Sequence, residues 1–148
     1  MPASHTRHAR HPHRRALPTQ LHSAAEAIDV ILTAVDLDRP ATVCLTLDDG
    51  RWPIGCIVID HDDRPDDPDD VLQIGDRIAD YVASAPEIGS VVLASIRPTA
   101  PCDPADADRL AELTMHFDAI GVDLIEWFVV HALGIAHLRA AVGEPSRW

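Results

Sequence analysis

The chain has 148 residues, 47% hydrophobic and 24% charged, the size and balance of one globular domain able to bury its own core. Its net charge of −12 comes from 12 arginines against 24 acids, 19 of them Asp, with no lysine anywhere. The split is uneven: residues 1–22 carry four arginines and no acid (+4), while residues 23–148 carry eight arginines against 24 acids (−16), a body that repels phosphate backbones and argues against nucleic-acid binding.

No run of about 18 apolar residues is present, so no membrane span is expected. The Arg14-Arg15 pair is followed by ALPTQLH, which lacks the apolar stretch of a twin-arginine export signal. Three cysteines do not make a disulfide framework, and the expected compartment is the cytoplasm. Residues 1–18 are basic, polar and aperiodic, and are expected to be a disordered tail ahead of a single domain over 19–148. His5, His8, His11 and His13 make that tail a candidate for loose transition-metal binding, though their irregular spacing suits a solvated segment better. Arg7, Arg10, Arg14 and Arg15 are the one place where nucleic acid would find cations.

From Leu21, apolar residues recur at helical spacing through Ala24, Ala25, Ile28, Ile31, Leu32 and Val35, which predicts a helix ending before Arg39-Pro40. Ala41–Leu47 and Trp52–Asp60 read as two strands of a hairpin around Asp48-Asp49-Gly50, with Pro53 at a strand start or an edge. Cys44 and Cys56 flank the turn and are expected to face each other as two buried thiols. Asp60–Asp70 packs seven Asp into eleven residues. It reads as a solvated loop, and it lacks the central Gly and terminal Glu of an EF-hand calcium loop. Its later acids suit the first turn of a helix over Pro68–Ala85. Gly89–Ile96 is apolar enough for a central strand buried on both faces. The proline-rich stretch Arg97–Pro104 leads into a helix from Asp103 or Pro104 to about Ile120, ended by Gly121, and Asp123–Val130 is another strand. The segment after His131 fits a strand or a short helix equally well. The order α-β-β-α-β-α-β predicts a mixed sheet with helices packed on it.

The loop after the central strand carries a resemblance. Ala94-Ser95-Ile96-Arg97-Pro98-Thr99-Ala100-Pro101-Cys102-Asp103-Pro104-Ala105-Asp106-Ala107-Asp108 resembles, without a gap, the zinc signature His-x-His-Pro-Ser-Gly-Asp-x-x-Pro-Ser-x-x-Asp of the JAB/MPN (JAMM) family, most closely its RadC branch. Pro98 and Pro104 stand at the family's prolines, Thr99 at its Ser and Asp108 at its last Asp. The strand Leu124-Ile125-Glu126-Trp127-Phe128-Val129-Val130 resembles the branch's later strand, and the hairpin with Leu47-Asp48 its opening strands. The resemblance covers roughly residues 23–135. It implies an α/β (α+β) fold with a cytidine-deaminase-type mixed sheet flanked by helices.

The same alignment removes the catalytic machinery. Ser95 and Arg97 stand where the family has its two zinc-binding imidazoles, Ala105 stands at its second Ser, and no Glu lies before the first strand near Arg39-Pro40. A catalytic zinc takes three protein ligands and an open position. Ser is a poor neutral ligand, and Arg97 is a permanent cation. No zinc or other cofactor is therefore expected, and Asp108 is expected to form an ion pair with Arg97 in the metal's place. Thr99, Cys102 and Glu126 are candidate lining of the vacated pocket; Arg97 nearby could lower the Cys102 thiol, but a small loop residue with no chemistry is the commoner case. Ser95 with His116 or His131 and an Asp would form a hydrolase triad, but no nucleophile elbow surrounds it.

The function implied is that of a catalytically inactive scaffold, a pseudoenzyme acting through protein contacts with a partner or a second copy. The alternative is a divergent metal-dependent peptidase or isopeptidase with ligands drawn from Asp108, His131, His137 and Cys102. A DNA-repair accessory role follows from the RadC resemblance alone, and the charge of the body opposes it.

Overall fold

Strong β-formers over Ala41–Leu47, Ser90–Arg97 and Asp123–His131 place three long strands at the centre of the molecule. The computed structural model describes residues 19–61, 67–100 and 102–148. In chain order they form α1 (Ala24–Leu32), β1 (Ala41–Leu47), β2 (Pro53–Asp60), α2 (Asp70–Ala83), β3 (Ser90–Arg97), α3 (Asp106–Ala119), β4 (Asp123–His131), β5 (Gly134–His137) and α4 (Leu138–Ala141). The five strands make one mixed sheet in the order β2-β1-β3-β4-β5. Only β3 and β4 run parallel, and α3 supplies the crossover between them. The tail over 1–18, with its metal and nucleic-acid candidates, and residues 62–66 of the acidic loop lie outside the described residues.

β1 and β3 are buried along their whole length, as apolar runs covered on both faces require. On one face Val43, Leu45, Val92, Ala94, Ile96 and Phe128 pack against Ile28 and Ile31 of α1. On the other, Cys44, Leu93, Trp127 and Val129 pack against Val71, Ile74 and Ile78 of α2 and Leu110, Leu113 and Phe117 of α3. Gly75 allows the two helices to approach: a Cβ there would sit 2.4 Å from Cδ2 of Leu113. Its value is the close contact, which outweighs its weak helix propensity.

The region after His131 is both strand and helix, a four-residue β5 followed by a four-residue α4. β5 pairs only with Phe128–His131, so the first half of β4 has no strand on that side. Arg139 of α4 takes the place of one: its Nε donates to the Ile125 carbonyl at 2.9 Å, and Nη2 donates to the Leu124 carbonyl at 2.6 Å and to Oγ1 of Thr114 at 3.0 Å. Glu144 completes its surroundings. The chain then crosses to the α1 face, where Trp148 packs beside Arg51 and Arg147 pairs with Asp123 at 2.6 Å.

The two cysteines of the hairpin do not face each other. Cys44 pairs with Ile57 and Cys56 with Leu45, one register step apart, so their side chains leave opposite faces of the sheet. Cys44 is buried, and burial with the neighbouring Cys56 raises its thiol far above the ordinary range; Cys56 is exposed.

Candidate functional site

Strand alternation puts Ser95 and Arg97 on the same face of β3, the one covered by α2 and α3. Both are buried, at 5% and 2% exposure. A guanidinium removed from water this fully needs a carboxylate in fork geometry. It has one, and the partner is Asp106, where Asp108 was expected. Arg97 Nη1 donates to Oδ2 of Asp106 at 2.8 Å and Nη2 to Oδ1 at 3.1 Å. Asp108 is exposed. The cause is where α3 begins. Asp106 is its first residue and points back at β3, and Asp108, two residues on, lies about 200° around the helix.

Asp106 is saturated. Besides both nitrogens of Arg97 it accepts from the Asp103 backbone N–H at 2.9 Å and from Arg109 Nη1 at 2.9 Å. The contact with the Asp103 N–H closes the turn that leads into α3. Burial pushes the Asp106 carboxyl up, but the donors from Arg97, Asp103 and Arg109 prevail and hold it below the usual carboxylate range. Arg109 reaches onward to Asp69 at 2.8 Å and Asp103 at 3.3 Å, tying the start of α2 to the start of α3. Behind Arg97, the Trp127 ring lies 5.7 Å from its guanidinium carbon, and the indole N–H donates to Oγ of Ser95 at 2.9 Å. Ser95, Trp127, Arg97, Asp106 and Arg109 thus form one continuous polar seam at the end of β3.

The expected open pocket beside this seam is nearly closed. The cavity lined by Thr42, His61, Asp70, Ser95 and Arg97 has a volume of about 10 Å³, room for a single water. His61, hidden in the sequence within the acidic run, shares a 2.8 Å hydrogen bond through Nε2 with Oγ1 of Thr42, and its Nδ1 lies 3.6 Å from Asp70. Of the three candidate lining residues, Thr99 borders a separate groove of about 230 Å³ with His131 and Leu133. Glu126 faces no cavity among those described: its Oε1 accepts from the Trp127 and Arg139 backbone N–H groups at 2.9 and 3.1 Å. Cys102 is exposed, and its thiol is raised by desolvation and by Asp106 against the pull of Arg97, the opposite of activation. Ala105 is an exposed residue at the entry to α3.

The alternative ligand set is not assembled. His131 Nδ1 accepts from the Leu133 N–H at 3.3 Å, and the His137 ring stands edge-on to Phe128 at 5.0 Å. Among the described residues no three of His, Cys, Asp and Glu come together in a way that could hold a metal ion. His116 is paired with Asp76, and Ser95 is bonded to neither His116 nor His131. The zinc that the resemblance implies for the family does not fit the donor set: two imidazoles are replaced by a hydroxyl bound to Trp127 and by a guanidinium whose carboxylate is already engaged.

No helix among the described residues is long and apolar enough to cross a membrane. The chain matches no family model and none of the curated proteins.

Proposed function

We propose that this chain is a non-catalytic domain of the RadC-like JAB/MPN type that acts through protein contacts, as a scaffold and without a cofactor. The observation that carries the proposal is the buried Arg97–Asp106 pair: a cation supplied by the chain itself stands at the position where the family signature places a zinc ligand. The five-stranded mixed sheet, with its hairpin and helix-linked parallel pair, is in keeping with that fold. A guanidinium and a hydroxyl engaged by Trp127 are poor ligands for an ion that would acidify a water, which supports a non-catalytic reading of the seam. A cytoplasmic setting agrees with three cysteines that are all unpaired.

The test is elemental analysis of untagged protein in which His5, His8, His11 and His13 are replaced by Ser, which removes the tail as a source of bound metal. The expected result is zinc well below one atom per chain. One tightly held zinc per chain in that variant favours the divergent hydrolase.

A further inference from the structure

We propose that the cleft between β2 and α2 binds a small dipolar molecule, a zwitterion with an ammonium at one end, a carboxylate at the other and an apolar spacer between them. The cleft has a volume of about 320 Å³, at the lower end of the range for small-molecule sites. It is distinct from the nearly closed cavity at the seam, with which it shares His61 and Asp70 as a common wall.

The two ends of the cleft carry opposite charges that the chain leaves unanswered. Asp70, Gln73, Ile74 and Arg77 line it from α2 at i, i+3, i+4 and i+7, a single helix face. At one end the Asp70 side chain is only 20% exposed, yet among the described residues its carboxylate accepts no hydrogen bond. Its one neighbour in ion-pair range is Nδ1 of His61 at 3.6 Å, and the Nε2 of that ring is taken by Thr42. A carboxylate so far removed from water ordinarily has donors. At the other end Arg77 forms no ion pair among the described residues, in a body of net charge −16. Asp80 stands at i+3 on the same helix, within reach of Arg77, and the guanidinium lines the cleft instead. Asp70 and Arg77 cannot answer each other, because seven residues of helix put about 10 Å between them.

Between the two ends, Ile59 of β2 and Ile74 of α2 supply apolar surface, and Gln73 offers an amide one turn before Arg77. Asp60 also borders the cleft, but it pairs with Ala41, whose side chain packs on the α1 face, so strand alternation turns the Asp60 carboxylate away. A zwitterion satisfies both ends at once. Its ammonium donates to Asp70, its carboxylate takes the fork of Arg77, and its methylenes lie over Ile59 and Ile74. A simple anion would leave Asp70 unanswered, and a simple cation would leave Arg77 so.

The test is a titration of the full chain with 6-aminohexanoate, to about 20 mM, followed by NMR of the backbone amides. Saturable shifts are expected at Ile59–His61 and Asp70–Arg77, with a Kd of about 1 mM. Hexanoate and hexylamine, which each carry one of the two charges, should bind at least ~10-fold more weakly. Arg77→Gln and Asp70→Asn should each weaken binding of the zwitterion by ~10-fold, the loss of one hydrogen bond to a charged group, in chains whose spectra stay dispersed. Asp80→Asn, which removes a neighbouring charge outside the cleft, should leave binding unchanged. The proposal is overturned if the zwitterion gives no saturable shifts at those residues, if either singly charged probe binds as tightly, or if binding is indifferent to Arg77→Gln or to Asp70→Asn.

Discussion

Replacing Asp106 with alanine destabilises the chain by about 3–5 kcal/mol and lowers its melting temperature by about 10 °C, because it leaves Arg97 charged and buried without a counter-ion. Arg97 is 2% exposed and Asp106 1%, so water cannot compensate for the lost partner. Replacing both at once, Arg97→Met with Asp106→Leu, removes the charges together and recovers most of the loss. Asp108→Ala, at the position the motif alignment singled out, changes stability by less than about 0.5 kcal/mol, since that side chain is exposed. The Asp106 contribution also has a pH signature. Its carboxyl is held below the usual range in the folded chain, so the unfolded state takes up a proton first as pH falls. The stabilisation is complete above about pH 4 and is lost as pH drops below that value. Urea unfolding of the four proteins at pH 7 and at pH 3 checks both statements. Equal losses for Asp106→Ala and Asp108→Ala would contradict them.

The second large effect is expected at Arg139. Methionine there fills much of the same space but withdraws every donor. The carbonyls of Leu124 and Ile125 and the hydroxyl of Thr114 then lose their partner in a site that is 1% exposed. At about 1–3 kcal/mol for each buried acceptor left unsatisfied, a loss of about 3–5 kcal/mol is expected. Arg139→Lys should recover little of it, because one ammonium cannot span two successive carbonyls and the α3 hydroxyl as the guanidinium fork does. Hydrogen exchange gives the local view, with protection falling first in the opening half of β4, where no strand pairs on that side. A loss below about 1 kcal/mol for Arg139→Met would mean that β4 does not depend on this arginine as a substitute strand.

How far the sequence revealed these features depended on how much of each signal was local. β1, β3 and β4 were legible because β-branched apolar runs buried on both faces carry their own signature, and their ends are correct to about a residue. α2 and α3 were predicted two or three residues too long at their starts, where Pro68, Asp69, Asp103 and Pro104 suit a turn as well as a first helical turn. β5 and α4 were not legible, since four residues of each are too few for a period to show. Arg139 gave no warning at all: its importance comes from the short reach of β5, which is a tertiary fact.

The seam at the end of β3 was half legible. The motif alignment marks Ser95 and Arg97, and a guanidinium in place of a zinc ligand calls for a carboxylate nearby. The motif frame points to Asp108, two residues past the carboxylate that pairs with Arg97. The local chemistry favours Asp106, which opens α3 and accepts the Asp103 N–H across the turn before it. His61 was one ionisable residue among many in an acidic run. Its approach to Thr42 depends on how β2 leaves the sheet, which composition does not encode.

Anomalous diffraction at the zinc edge, from crystals grown with excess zinc, tests the central claim most directly. The account predicts the Arg97–Asp106 pair intact, with no anomalous peak within coordination distance of Ser95, Asp106 or Asp108, wherever else zinc binds. A full-occupancy peak about 2.0–2.2 Å from Asp106 or Asp108, with the Arg97 side chain turned away, would contradict it.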